Sequence, residues 1–270
     1  MKILFNNSDL NEALYGVTNL GFVPTMGTLH NGHISLIKKS LKACDKTIVS
    51  IFINPTQFNN NTDYKNYPRN INNDLRICKK LKVDFVFLPN KKNIYSFKRG
   101  RKIVINKVDR ILCAKYRKGH FEGVIDVMDR FLKIIKPNKV FMGKKDFQQL
   151  YFIKKYLIKK YKFKLVACKT IRDKNKLALS SRNYLLNKND LIKARNITND
   201  IFLLKRGLFN KKNVKRFLQS KISQLNKLYA INVEYLELRN ILNFKHSNQK
   251  KNSKLFIAYY LNNIRLIDNF

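Results

Sequence analysis

Cysteine is scarce in this chain, and long apolar runs are missing altogether. The 270 residues include only 4 cysteines, at positions 44, 78, 113 and 168, with no Cys-x-x-Cys pair among them. This usage favours free thiols in a reducing compartment over a disulfide framework. No stretch approaches the roughly 20 apolar residues that span a bilayer, and the apolar start of the chain is too short for a signal peptide. We therefore expect a soluble, cytoplasmic protein with no membrane partner.

Acidic residues are also few, which leaves the chain strongly basic. Lys and Arg total 56 while Asp and Glu total 17, so the formal net charge is +39. Clustered basic residues are typical of nucleic-acid binding, but here the lysines are scattered through every segment together with abundant Asn, Ile, Phe and Tyr. Mutational bias towards A/T-rich codons produces the same composition. We expect a solvated basic surface that attracts anionic substrates, without a specific nucleic-acid partner.

Apolar runs of strand length alternate with helix-period segments over the first two thirds of the chain. This alternation predicts βαβ units and an α/β fold, a doubly wound parallel sheet of Rossmann-like type. The predicted strands cover residues 21–24, 47–53, 83–88, 139–142 and 163–170, and the predicted helices cover residues 33–43, 71–81, 123–135 and 147–160.

The pattern changes after about residue 170. Two helical segments, residues 191–205 and 212–228, precede three short strand candidates at residues 232–238, 254–260 and 265–267. Helices followed by strands predict a smaller α+β domain. We therefore expect a catalytic domain over residues 1–170 and a C-terminal lid domain over residues 171–270, without a long linker between them.

The segment PTMGTLHNGH at residues 24–33 joins a predicted strand to a predicted helix. His30 and His33 lie one helical turn apart where that helix begins. A helix N-terminus offers unpaired N–H groups and partial positive charge, and imidazoles add donors for charge that develops on phosphorus. Two zinc ligands or two surface histidines are the alternatives, but no neighbouring Cys or acidic residue completes a zinc set. The segment predicts a nucleotide-phosphate site.

Three more polar clusters follow predicted strands, where ligands bind in open α/β sheets. Residues 54–58 offer amides for hydroxyls or a carboxylate, and residues 143–149 combine glycine, lysine and aspartate, which suit phosphate and ribose. Residues 172–183 place two serines beside an arginine that can close over a triphosphate. The alternatives are a proline turn, a capped helix start and a polar interdomain loop. A further cluster at residues 116–124 is ambiguous, because a lone histidine such as His120 is more often structural.

Taken in order, these motifs resemble the pantoate–β-alanine ligases (pantothenate synthetases) of the HIGH-motif nucleotidyltransferase superfamily, over essentially the whole chain. The resemblance implies a Mg²⁺-dependent, two-step ligation by a homodimer. Pantoate attacks the α-phosphorus of ATP to give pantoyl adenylate and pyrophosphate, and β-alanine then displaces AMP. The segments that carry the resemblance are residues 24–33, 49–58, 67–69, 120–124, 143–149, 177–183 and 265–269.

The resemblance also implies a role for each matching residue. His33 is the expected proton donor, and His30 and Lys145 are expected to act with it on the phosphates. Gln57 and Gln149 are expected to bind pantoate, with Gln57 also near β-alanine, and no protein metal ligand is assigned. The full set expected to bind ATP is Met26, Gly27, Thr28, Leu29, His30, Asn31, Gly32, His33, Gly143, Lys144, Lys145, Asp146, Ile171, Leu179, Ser180, Ser181 and Arg182.

The chain departs from the family pattern at three places. Lys144 stands where the family commonly has Glu, Leu179 replaces a frequent Met, and Asn175-Lys176 replace Asp-Gly. Loss of that glycine is expected to stiffen the loop that covers the phosphates. Two alternatives remain open from the sequence: a related nucleotidyltransferase acting on another acid, and a degenerate nucleotide-fold protein that binds nucleic acid.

Overall fold

The computed structural model describes residues 1–96, 103–211 and 213–270. The chain forms two compact units, the first comprising Met1–Lys107 and Arg117–Ile171, the second Val108–Tyr116 and Arg172–Phe270. The segment Val108–Tyr116 therefore packs with the second unit, whereas the sequence analysis assigns it to the catalytic domain.

Strands and helices alternate through the first unit and give way to an antiparallel sheet in the second. The strands are β1 Lys2–Leu4, β2 Leu20–Thr25, β3 Lys46–Ile51, β4 Phe85–Phe87, β5 Lys139–Gly143, β6 Lys164–Cys168, β7 Asn232–Asn240, β8 Ser253–Leu261 and β9 Ile264–Asn269. The α-helices of the described residues are α1 Asn7–Leu14, α2 Asn31–Ala43, α3 Asn61–Lys65, α4 Ile71–Lys80, α5 Lys91–Ile94, α6 Cys113–Tyr116, α7 His120–Ile135, α8 Phe147–Tyr161, α9 Lys188–Gly207 and α10 Val214–Tyr229.

The first unit is built on a six-stranded sheet in the order β1-β4-β3-β2-β5-β6, with every pairing parallel. The predicted α/β fold is therefore confirmed. Strand β3 is buried from Thr47 to Ile51, as expected for a central strand covered on both faces. The strand predicted over residues 83–88 is shorter than expected and spans only Phe85–Phe87.

Helices cover both faces of this sheet. On one face, the Phe131 ring of α7 lies 5.6, 6.0 and 6.3 Å from the rings of Phe22, Phe52 and Phe87. On the other face, helices α2 and α4 pack on a separate cluster that includes all three buried cysteines of the first unit, Cys44, Cys78 and Cys168. The two apolar layers fix the sheet, and with it the positions of the strand ends.

The strand order creates a topological switch point between β2 and β5. From β2 the chain passes through α2 to β3 on one side, while β5 pairs with β2 on the other side. In open parallel sheets the crevice beyond the carboxyl ends of such strands binds ligands. Here the carboxyl end of β2 leads into residues 26–33, and that of β5 leads into residues 144–146.

The second unit combines α9 and α10 with the antiparallel sheet β7-β8-β9. The predicted smaller α+β part is thereby confirmed. Its short segment Val108–Tyr116 is held by Cys113, whose Sγ lies 3.0 Å from the Tyr235 hydroxyl and 3.4 Å from Arg265 Nη2. Arg265 also donates two bonds of 2.6 and 2.9 Å to Glu234, so these partners keep the buried guanidinium paired.

In the part of the chain that the structure describes, no helix is both long and apolar enough to cross a membrane.

Packing of α2 against β2 predicts a strong effect of Gly21→Ala. A Cβ at Gly21 would lie 2.2 Å from Ser40 Oγ and 2.9 Å from Cys44 Sγ. Ser40 cannot turn away freely, since its hydroxyl bonds the Thr47 hydroxyl at 2.8 Å. We expect urea unfolding to show a loss of about 1–3 kcal/mol, typical of overpacking. Gly207→Ala is the matched control, because a Cβ there meets nothing within 4 Å; an equal loss in both variants would contradict the packing argument.

Candidate active site

The turn after β2 is held by hydrogen bonds to its backbone amides. Thr25 Oγ1 donates to the Ser50 carbonyl (2.7 Å) and accepts from the Gly27 N–H (3.2 Å). Gly27 has a φ of +81°, and a Cβ there would meet Asp74 Oδ2 at 3.0 Å and Ile51 at 3.1 Å. Glycine at this position therefore serves both the turn and a close approach of the backbone to α4.

Asp74 is the main anchor of this turn. Its carboxylate accepts from the Thr28 N–H at 2.8 Å and from the Leu29 N–H at 2.7 Å. Thr28 has a left-handed φ of 52°, and its hydroxyl donates to the Pro68 carbonyl at 2.7 Å. Burial raises the pKa of Asp74 and the two amide bonds oppose that rise. Strained backbone held by several partners is typical of a functional site.

Sequence reasoning missed Asp74, and the structure shows why the residue matters. The residue is 1% exposed and stands four positions before the fully buried Cys78 on the same face of α4. A buried carboxylate on the packed face of a helix needs a partner, and that need is a sign of a specific contact.

His30 and His33 form a reciprocal cap at the start of α2. His30 Nδ1 accepts from the Gly32 N–H at 3.0 Å, and His33 Nδ1 accepts from the His30 N–H at 3.3 Å. The two rings lie 4.1 Å apart between centroids. Gly32 is required because a Cβ would come within 2.6 Å of the His30 ring. The sequence prediction that both imidazoles lie at the helix start is confirmed, with α2 beginning at Asn31.

This cap fixes the tautomer of both histidines. An Nδ1 that accepts a hydrogen bond carries a lone pair, so the proton of each neutral ring is on Nε2. Burial and the ammonium of Lys145 lower the pKa of His30 to about 4 despite the opposing charge of Asp146. Burial, His30 and Lys145 lower the pKa of His33 well below its usual value. Both rings are therefore neutral near pH 7, each with one Nε2–H donor.

Lys145 and Asp146 follow β5 in a short 3₁₀ turn that leads into α8. Lys145 Nζ lies 3.5 Å from Asp146 Oδ1, and its effect on both imidazoles brings its charge to the same site. Lys144 differs, because its charge acts elsewhere: burial raises the pKa of the Cys168 thiol, and the charges of Lys39 and Lys144 oppose that rise. The two adjacent lysines therefore act on different surroundings. Gly143 ends β5, and Gln149 lies in the first turn of α8.

Gln57 lies in the 3₁₀ turn Pro55–Gln57 that follows β3. Its side-chain Nε2 donates to Met26 Sδ at 2.8 Å, and Asn54 Nδ2 donates to Gln57 Oε1 at 3.3 Å. Asn54 is 1% exposed and also accepts from the Tyr95 hydroxyl at 2.8 Å. Two motifs far apart in sequence, residues 26–33 and 54–58, are thus in direct contact.

The segment with Ser180, Ser181 and Arg182 belongs to the second unit. Ser180 Oγ accepts from the Arg182 N–H at 3.3 Å and so caps a 3₁₀ turn at Ser181–Leu185. Before it, Lys176 adopts a φ of +70°, the conformation that the expected glycine would favour. The Lys176 ammonium lies 5.6 Å from the Phe202 ring centroid. The tight turn is therefore kept although the glycine is lost.

Parallel strands with neutral imidazoles and a lysine at the switch point define an α/β nucleotide-binding protein. A sequence model for the family described as pantoate-beta-alanine ligase matches residues 3–270. The chain belongs to this family. It is an enzyme that catalyses the ATP-dependent ligation of pantoate and β-alanine.

Relatives and solved structures agree over nearly the full chain. A protein named pantothenate synthetase from Francisella tularensis subsp. novicida is 40% identical over 266 residues, which cover 97% of this chain and 92% of the relative. One of the same name from Clostridium botulinum is 38% identical over 258 residues, 93% of this chain and 91% of the relative.

Two crystal structures are similar to the chain as a whole. The pantoate-beta-alanine ligase of Francisella tularensis, solved in complex with beta-gamma ATP and beta-alanine, has a TM-score of 0.86 and 38% identity and covers 100% of this chain and 97% of its own. Pantothenate synthetase from Thermus thermophilus has a TM-score of 0.90 and 26% identity, with coverage of 100% and 99%.

The low pKa of His30 predicts a pH-dependent stability. The folded state holds the imidazole neutral, whereas an unfolded histidine takes up a proton as the pH falls through 6.5. The contribution of neutral His30 to the free energy of unfolding is thus complete above pH 6.5, and it is lost as the pH falls towards about 4. We expect His30→Asn, which keeps an acceptor for Gly32 but cannot titrate there, to flatten this decline in urea unfolding. An identical pH slope in both proteins would contradict the assignment.

Proposed function

We propose that the ligation runs in two steps through a pantoyl adenylate. A free carboxylate resists attack by an amine because it is negatively charged and lacks a good leaving group. A pantoate carboxylate oxygen first bonds to the α-phosphorus of ATP, the bond from that phosphorus to the bridging oxygen breaks, and pyrophosphate leaves. The β-alanine amine then attacks the activated carbonyl carbon, the bond to the adenylate oxygen breaks, and AMP and a proton are released.

The pair of imidazole Nε2–H donors beside Lys145 carries this proposal. Fixed donors and a cation stabilise the charge that develops on phosphate oxygens during attack at phosphorus. Both rings are neutral in the free protein, so we propose that His33 acts first as a hydrogen-bond donor. The approach of a polyphosphate raises the pKa of a nearby imidazole, which suits His33 to proton donation and His30 to support of the same charge.

For ATP we propose the residues that the resemblance implies. Residues 26–33 are supported by the two imidazole Nε2–H donors at the start of α2, and residues 143–146 by the charge of Lys145. In this proposal Asp146 accepts from the ribose, and Ile171 contacts the adenine through its backbone. Residues 179–182 cover the triphosphate, with the resemblance as their support.

For the acid and the amine we propose Gln57 and Gln149. Amide groups can bind the carboxylate and hydroxyls of pantoate without a further charge, and Gln57 also lies near β-alanine in this proposal. The contact between Gln57 and Met26 supports it, since an acid bound at Gln57 would then lie beside the ATP segment.

We propose that ATP enters as its Mg²⁺ complex, so that the ion is part of the substrate. Across residues 1–96, 103–211 and 213–270, no group of three or more His, Cys, Asp and Glu side chains could hold a metal ion. Mg²⁺ at nucleotide sites is held largely by phosphate oxygens and water, with one or two protein carboxylates. Phosphate oxygens and water as the main ligands fit an ion that arrives with its nucleotide.

We further propose a cytoplasmic homodimer. The four free, buried cysteines support a reducing compartment, and the family resemblance supports the dimer.

The two-step mechanism predicts which reactants each half-reaction needs. Exchange of labelled pyrophosphate into ATP should require Mg²⁺ and pantoate but not β-alanine, because the adenylate forms before the amine reacts. AMP formation with net turnover should require both pantoate and β-alanine. Exchange that depends on β-alanine, or no exchange at all by intact protein, would overturn the adenylate mechanism.

The proposed roles of His33 and Gln57 predict opposite kinetic signatures. His33→Ala should lower the single-turnover adenylation rate by roughly 10²–10³, typical of losing one donor to developing charge. Gln57→Ala should raise the pantoate KM and leave the ATP KM nearly unchanged. Each variant serves as the control of the other, and an unchanged rate in His33→Ala would make that residue structural.

A further inference from the structure

The first residue of α7 and the loop before it contact the main chain of Gln57. His120 Nδ1 lies 2.7 Å from the Gln57 carbonyl oxygen, and Arg117 Nη2 donates to the same oxygen at 3.3 Å. Arg117 Nη1 also lies 2.9 Å from His120 Nε2. Two donors thus converge on one carbonyl and are linked to each other.

These contacts admit only one tautomer of His120. A carbonyl oxygen only accepts, so Nδ1 carries the proton, and a guanidinium only donates, so Nε2 carries the lone pair. This is the opposite tautomer from that of His30 and His33. His120 is 8% exposed, which limits exchange of these bonds for bonds to water.

The backbone of α7 holds the same turn from another direction. A Cβ at Gly123 would lie 2.4 Å from the Thr56 carbonyl oxygen and 2.9 Å from the Gln57 nitrogen. Asn54 Nδ2 donates to the Gly123 carbonyl at 3.2 Å. The first turn of the helix therefore packs directly against the 3₁₀ turn, and a side chain at Gly123 would push the turn away.

We propose that Arg117 and His120 are a positioning pair that fixes the main chain of Gln57 and so directs its amide towards pantoate. The inference rests on the proposed role of Gln57. Neither member touches a reacting atom; each acts through the carbonyl of the residue that does.

The test compares two amide variants of His120 that place an amide at different ring positions. His120→Asn can put an N–H where Nδ1 lies and keep the bond to Gln57, while His120→Gln can put an amide where Nε2 lies and lose that bond. We expect His120→Ala and His120→Gln to raise the pantoate KM in pyrophosphate exchange about tenfold, the effect of roughly 1.4 kcal/mol. His120→Asn should recover most of the loss, and the ATP KM should stay within about twofold in all three.

Arg117→Gln provides an independent variant should His120→Ala fail to fold, since it leaves the imidazole bond to Gln57 in place. Its pantoate KM should rise above that of the unaltered protein, but by less than tenfold. Equal pantoate KM values for His120→Asn and His120→Gln, or parallel rises in the KM of ATP and pantoate, would overturn the proposal and leave the pair with a general structural role.

Combination with Gln57→Ala separates failure of the pair from failure of the proposed Gln57 role. If the pair acts through Gln57, adding His120→Ala to Gln57→Ala should raise the pantoate KM no further. A further tenfold rise would overturn the positioning role. A normal pantoate KM in Gln57→Ala alone would instead refute the role of Gln57, and the absence of exchange in the unaltered protein would refute the two-step mechanism.

Discussion

The backbone amides between β2 and α2 need acceptors, and these are supplied by Asp74 of α4 and by side chains of the turn itself. Asp74 takes two amides, and the Nδ1 atoms of His30 and His33 take two more. Because these acceptors are used within the protein, each imidazole keeps a single donor, Nε2–H, for other partners. The positive charge of Lys145 then meets neutral rings rather than imidazolium ions, which avoids repulsion among three cations. Satisfying the backbone is thus what prepares the groups that we assign to phosphate.

The same logic governs the neighbouring turn at Gln57. There the side-chain amide is oriented by Asn54 and Met26, while the main-chain carbonyl is fixed by Arg117 and His120. Both turns follow the carboxyl ends of adjacent strands, β2 and β3, so a shift of one turn displaces the other. The attack at phosphorus that we propose needs this shared reference, because it requires the acid and the phosphate to be closely aligned.

Much of the architecture could be predicted because local pattern and tertiary role agree. The apolar run of β3 is typical of a covered parallel strand and lies in the middle of the sheet. Strand β1 could not be predicted, since its three residues become a strand only by pairing with β4, with Lys2 opposite Phe85. Helix α7 begins at His120, three residues before the expected start, behind a left-handed Gly119 that offers no side-chain cap. Asp74 escaped for the same reason as β1: its partners are 45 and 46 residues away.

The three cysteines beneath α2 have a practical consequence. Cys44, Cys78 and Cys168 lie in one apolar layer, and burial raises the pKa of each thiol, that of Cys78 to about 12. The thiolate is the form that attacks an alkylating reagent, so buried thiols with a raised pKa are slow to react while the layer stays closed. The rate of thiol labelling therefore reports how often the apolar layer that carries α2 opens. A nucleotide bound at the start of α2, as we propose, should slow the labelling, and no engineered cysteine is needed to follow it.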